Sequence, residues 1–206
     1  MLNYRVGLIV TYVIAGACGG KDPITVQVDP PRHELHLEWA GKATGSFAVA
    51  GAMPSTTLDY NQPFVQSTSG TTNGRPVRLL IGNRPGSAYF AGGTDIVYVM
   101  LDESITGPGK FGPGNCSQVA ELRDCFRVSA MLGVPIGGGN VSWILESITG
   151  LGHLEITHWS ADRVVATFDG LFAYRPGVSN GAPPDTLTVT NGFVDAMNAP
   201  GTHWPP

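Results

Sequence analysis

Glu34-Leu35-His36-Leu37-Glu38-Trp39 is the stretch from which the rest of the chain is read. Side chains on a strand alternate between its two faces, so Leu35, Leu37 and Trp39 point one way and Glu34, His36 and Glu38 the other. That pattern predicts a strand with one face in a core and the other in water. Gly41-Lys42 follows, and then Thr44 to Ala52, where Phe47 and Val49 alternate with small residues. The two segments together predict a hairpin.

Similar runs lie on both sides. Upstream, Ile24, Val26 and Val28 alternate with Thr25 and Gln27 before Pro30-Pro31, a tether that becomes a first strand. Downstream, Met53 to Asn73 is polar and reads mostly as loop, and Val77 to Ile81 as a short strand. Asp95 to Leu101 is apolar on both faces and predicts a central strand covered on both sides. Thr106 to Gly114, rich in Gly and Pro, reads as loop, and Ser117 to Arg123 as a helical turn with Ser117 as its N-cap. Phe126 to Leu132 is a strand pattern, and Pro135 to Asn140 a Gly-rich turn. Val141 to Glu146, His153 to His158, Arg163 to Tyr174 and Thr186 to Thr190 are further strands. The last is expected to meet Phe193 and Val194 across Asn191-Gly192, a favoured two-residue hairpin turn.

About ten short strands separated by turns predict an all-β fold, an antiparallel β-sandwich of jelly-roll type. Residues 32–198 form that domain, residues 19–31 the tether and first strand, and residues 199–206 a C-terminal tail. Of 206 residues, 14% are charged, and the net charge is -4. A nucleic-acid partner would want a basic face, so that class is excluded. No block of Lys or Arg marks attraction to anionic lipid headgroups.

The first residues carry the address. Arg5 lies in a short start, an apolar run extends from Val6 to Ala17, and Ala15-Gly16-Ala17-Cys18 ends it. Basic start, apolar middle and small residues at the cut predict a secretory signal over residues 1–18. The run is shorter than the roughly 20 residues that span a bilayer. Small residues before Cys18 resemble the lipobox of bacterial lipoproteins, which implies lipidation of Cys18. Ala15 stands where Leu is usual, and Ala15-x-Ala17 also suits an ordinary signal peptidase. A retained membrane anchor is the third reading.

Cys116 and Cys125 remain in the body. In an exported chain two cysteines so close in sequence most simply form a disulfide. Closing that loop stabilises by about 2.5–3 kcal/mol on the chain-entropy view. Metal binding is the alternative, but no His or second Cys pair lies near them in sequence.

From Trp39 onward the order of segments resembles bacterial envelope lipoproteins that carry an uncharacterised β-sandwich domain. Trp39-Ala-Gly-Lys-Ala-Thr-Gly45-Ser-Phe47 and Ala50-Gly51-Ala52 resemble their opening hairpin. Gly152-His-Leu154-Glu-Ile156-Thr, Ala161 to Phe168 and Leu187 to Phe193 resemble three closing strands. Ala166 stands where that family has Gly, and Phe193 follows Gly192 without the usual intervening residue. The resemblance implies a fold and a compartment, and no activity.

His33-Glu34-Leu35-His36 invites a zinc reading, but its two His are three apart on a strand and face opposite sides. Glu34, His36 and Glu38 share a face, as do His153 and Glu155, while His158 is out of phase. A solvated strand face explains each better than an ion. No Gly-x-Ser-x-Gly elbow, phosphate loop or calcium-loop spacing is present. No metal, cofactor or catalytic residue is therefore expected. Trp39 and Trp143 alternate into the core, which leaves Trp159 and Trp204 as candidates for an exposed contact.

These readings converge on a non-enzymatic envelope protein, lipid-anchored at Cys18, periplasmic or on the outer surface. It would bind or scaffold a partner, such as a membrane-protein complex of which it is an accessory subunit. A carbohydrate- or small-ligand-binding module is the alternative, and a hydrolase with a site assembled from distant loops the third.

Overall fold

The computed structural model describes residues 29–52, 58–72, 75–88, 90–112, 126–136, 143–176 and 185–198. The leader with Cys18, the segment Ile24 to Val28, the Ser117 to Arg123 turn, Cys116, Cys125, Trp204 and the tail lie outside them. Pro31–Pro206 forms one compact unit.

Ten strands are present among the described residues: β1 (Glu34–Gly41), β2 (Gly45–Ala50), β3 (Phe64–Thr72), β4 (Arg75–Pro85) and β5 (Gly93–Asp102) come first. β6 (Gly109–Phe111), β7 (Phe126–Pro135), β8 (Trp143–Trp159), β9 (Arg163–Pro176) and β10 (Asp185–Met197) complete the set. Hydrogen bonds join them in the order β2-β1-β10-β9-β8-β7-β5-β4-β3, with β6 added on β8. Every named pairing is antiparallel. The path folds on itself into a sandwich of two layers, with six and five strands. β8 serves both: its first part pairs with β7 and, after a register shift between Ser147 and Gly152, its second part pairs with β6.

The sandwich agrees with the alternation in the sequence. Its connectivity is simpler than a jelly roll, because strands consecutive in sequence are neighbours in space through β3-β4-β5 and β7-β8-β9-β10. Between the layers lie Leu35, Leu37 and Trp39 from β1, Phe47 and Val49 from β2, Val97, Val99 and Leu101 from β5, and the inward residues of β7 to β10. Trp39 is buried, as its alternation requires. A Cβ on Gly82 would stand 3.1 Å from Val49 and 3.2 Å from Leu35, so the layers pack tightly where β4 has no side chain. A smaller cluster of Phe64, Ile81 and Ile96 packs with Leu58, Tyr60 and Tyr98 on the far side of β4 and β5. β5 is accordingly covered on both faces, as its unbroken apolar run predicts.

Four expectations are corrected. The polar stretch from Met53 to Asn73 contains β3, paired along its length with β4. Its Ser67 is fully buried and accepts a hydrogen bond from Arg78 Nε at 2.8 Å, so a strand that reads as loop by composition has a buried polar partner. The loop from Thr106 to Gly114 contains β6. Of the two strands expected at Val141 to Glu146 and His153 to His158, the described part from Trp143 onward forms the single bulged strand β8, and Val141 and Ser142 lie outside the described residues. Asn191-Gly192 is no hairpin turn but a bulge inside β10. Asn191 takes the left-handed φ of 52° that the bulge needs. A Cβ on Gly192 would fall 2.4 Å from Phe168, so only glycine fits beside it.

Candidate functional site

Five neighbouring strands of one layer place their outward residues opposite one another. His36 on β1 faces Phe193 on β10, Phe193 faces Thr167 on β9, Thr167 faces Glu155 on β8, and Glu155 faces Lys110 on β6. At about 4.8 Å per strand this row is roughly 19 Å long. A second row runs beside it. The Asn191 amide donates to Glu38 Oε2 at 3.0 Å, and Asp169 stands opposite His153.

Together the rows line an open groove of about 900 Å³, with Arg32, Phe111 and Gly112 at its margins. Each of its carboxylates, Glu38, Glu155 and Asp169, has a polar partner. Lys110 Nζ lies 3.5 Å from Glu155, and His153 Nδ1 lies 2.9 Å from Asp169. The His36 ring stacks on Phe193 at 5.3 Å between centroids and 24° between planes, while its Nδ1 meets Glu34 Oε1 at 3.0 Å. The Arg32 guanidinium sits 5.8 Å from the Phe193 ring centre, and the Arg32 N–H donates to Asp195 at 2.7 Å.

The two outward stripes read separately from the sequence, Glu34-His36-Glu38 and His153-Glu155, thus converge on one face. His158 joins them. A register shift between Ile156 and His158 sets His158 opposite Val165, the outward phase of β9 that also carries Thr167. The straight-strand expectation that His158 is out of phase fails for that reason. Burial, and next the positive charge of Arg163, push its pKa below the ordinary 6.5, against an opposing pull from Asp195. No group of His, Cys, Asp or Glu among the described residues could hold a metal ion.

Trp159 has a different place from the exposed contact expected of it. It is partly buried against the core, and the Arg78 guanidinium lies 4.8 Å from its ring centre. Arg78 is itself fully buried and donates to Ser67 Oγ, to the Ser160 carbonyl at 2.8 Å and to Asn198 Oδ1 at 3.3 Å. Desolvation lowers its pKa from 12.5 to about 10, despite the nearby negative charge of Asp162. This cluster secures the β8–β9 turn to β3 and β4, and its tryptophan is a structural cation–π partner.

Lys110, Thr167, Asp169, Asn191 and Phe193 are groove residues absent from the sequence-based candidates. Alternation along Arg163 to Tyr174 would have placed Thr167 and Asp169 outward. Only the strand order puts them between the two His-bearing stripes. The chain matches no protein-family profile, no curated protein and no solved structure.

Proposed function

We propose that the chain is an exported protein of the bacterial cell envelope, tethered through Cys18, that acts by binding. The observation that carries this reading is the groove, formed by outward side chains of five hydrogen-bonded strands. Such a surface is pre-formed and rigid, and its side chains are already oriented by one another. The resemblance of Trp39 to Phe47 and of the closing strands to envelope lipoproteins supports the compartment. The ligand would come from the envelope itself, including a partner in a membrane complex.

Two experiments test this. Cys18→Ser should move the protein from the membrane to the soluble fraction and remove the mass of the acyl groups; unchanged fractionation and mass would refute the anchor. A photo-crosslinking residue at Thr167 should give adducts in intact cells, whereas one at the exposed Ser104 should not. Equal yields, or none at Thr167, would remove the groove as the binding face.

One observation favours a second, hydrolytic reading. Contact between His153 Nδ1 and Asp169 is the arrangement in which a carboxylate orients a general base. Their side chains are 75% and 58% exposed, so water screens the pair and weakens any field it could exert on a substrate.

A further inference from the structure

We propose that the groove takes a neutral sugar chain laid across the strands along the His36-to-Lys110 row. This rests on the binding reading above and names its ligand class. The first support is electrostatic. Each carboxylate of the groove already has a polar partner: Glu155 meets Lys110, Asp169 meets His153 Nδ1 and Glu38 meets the Asn191 amide. A charged ligand would have to separate these pairs or compete with one member. A hydroxyl has one donor and two acceptor lone pairs, so it can bond to both members of a pair and leave both in place.

The second support is the direction of the row. An extended peptide binds a sheet through a free strand edge, running parallel to the strands. The groove floor offers side chains instead, one outward residue from each strand, in a line perpendicular to the strands. A chain of polyhydroxylated rings can lie along such a line, over the Phe193 ring and against polar side chains at His36, Thr167, Glu155 and Lys110, at about 4.8 Å per strand. The volume of about 900 Å³ lies within the range of small-ligand sites. The third support is the flat His36–Phe193 pair at one end, an apolar patch for the C–H face of a ring, with Arg32 N–H donors beside it.

The test is calorimetric titration of the full chain in mild detergent. Cellotetraose, maltotetraose and chitotetraose serve as neutral probes, tetragalacturonate as the acidic one and tetralysine as the basic one. At least one neutral chain should bind saturably, at least tenfold more tightly than either charged probe, with an affinity that does not change on adding salt. Thr167→Trp, which fills the centre of the row at an exposed position, should abolish that binding at unchanged thermal stability. Asn191→Ala should weaken it at least tenfold. Absence of binding by every neutral probe, equal binding of a charged probe, or binding that survives Thr167→Trp would each overturn the proposal. If the Thr167 photo-crosslink still forms while all sugars fail, the binding face stands and the ligand class falls; if both fail, both readings fall.

Discussion

Asp169 and Asp195 each hold a nitrogen-bearing side chain 2.9 Å away, one in the groove and one buried. Asp169 and His153 stand in water. Asp195 is 1% exposed and its partner Arg163 only 11%, with two parallel hydrogen bonds between them and a third to Asp195 from the Arg32 N–H. Nearly the same distance therefore supports opposite roles. The buried pair has no water to replace a missing partner, so it fixes β9 to β10 and the start of β1. The exposed pair is screened by water and adds little to the fold, so both members stay accessible to a hydroxyl that bonds to each.

Removing one member of each pair gives the most direct attack on this contrast. Asp195→Ala should destabilise by about 3–5 kcal/mol in urea denaturation, since it strands the Arg163 guanidinium in the protein. A loss below about 1 kcal/mol would mean that the pair is no more structural than its exposed counterpart. Next comes the bulge that separates the two regions along β10. Gly192→Ala forces a methyl against Phe168 and should cost about 1–3 kcal/mol, read as a lowered midpoint, and should disturb the Asn191–Glu38 contact in the groove.

A smaller effect is visible only as a pH slope. His158 has a lowered pKa in the folded chain, so between that value and the ordinary 6.5 the unfolded chain binds more protons. Stability contributed by its neutral form is present above about 6.5 and falls as the pH drops towards the folded pKa. His158→Gln should therefore gain on the parent as the medium is acidified through this window, in parallel denaturation curves. A constant difference would show that His158 is not coupled to Arg163 and burial as described. The smallest change is Asp169→Ala, expected to stay within about 0.5 kcal/mol of the parent in the same assay.

Periodicity made part of this architecture legible. Leu35-Leu37-Trp39, Phe47-Val49 and Ile96 to Leu101 declare their burial in the sequence, and the structure places them as read. β3 stayed hidden because its Gln66 and Ser67 are polar yet buried, and the partner of Ser67 is an arginine on the next strand. β8 read as two strands, and His158 as out of phase, because a bulge resets the alternation without leaving a signature in residue type. The Asn191-Gly192 pair shows the same ambiguity. Both a hairpin turn and a bulge need a left-handed residue, and here the flanking halves each found a neighbour on β9, so the chain ran on. The groove needed more than periodicity, since its rows exist only once β1, β10, β9, β8 and β6 are set side by side.

β6 has a consequence for the behaviour of the molecule among its own copies. A sheet grows by accepting strands at a free edge, and long flat edges are where soluble proteins begin to polymerise. Among the described residues, one end of the six-strand layer is the three-residue β6, Gly109–Phe111, with Lys110 at the middle, 79% exposed. A neighbouring copy adding there would find few backbone groups to pair with and an ammonium to desolvate or repel. A charge at this position therefore disfavours edge-to-edge addition, at the same end of the sheet where Lys110 meets Glu155. Such protection matters most at high protein concentration, and Lys110→Val should be seen first as turbidity on concentrating the protein.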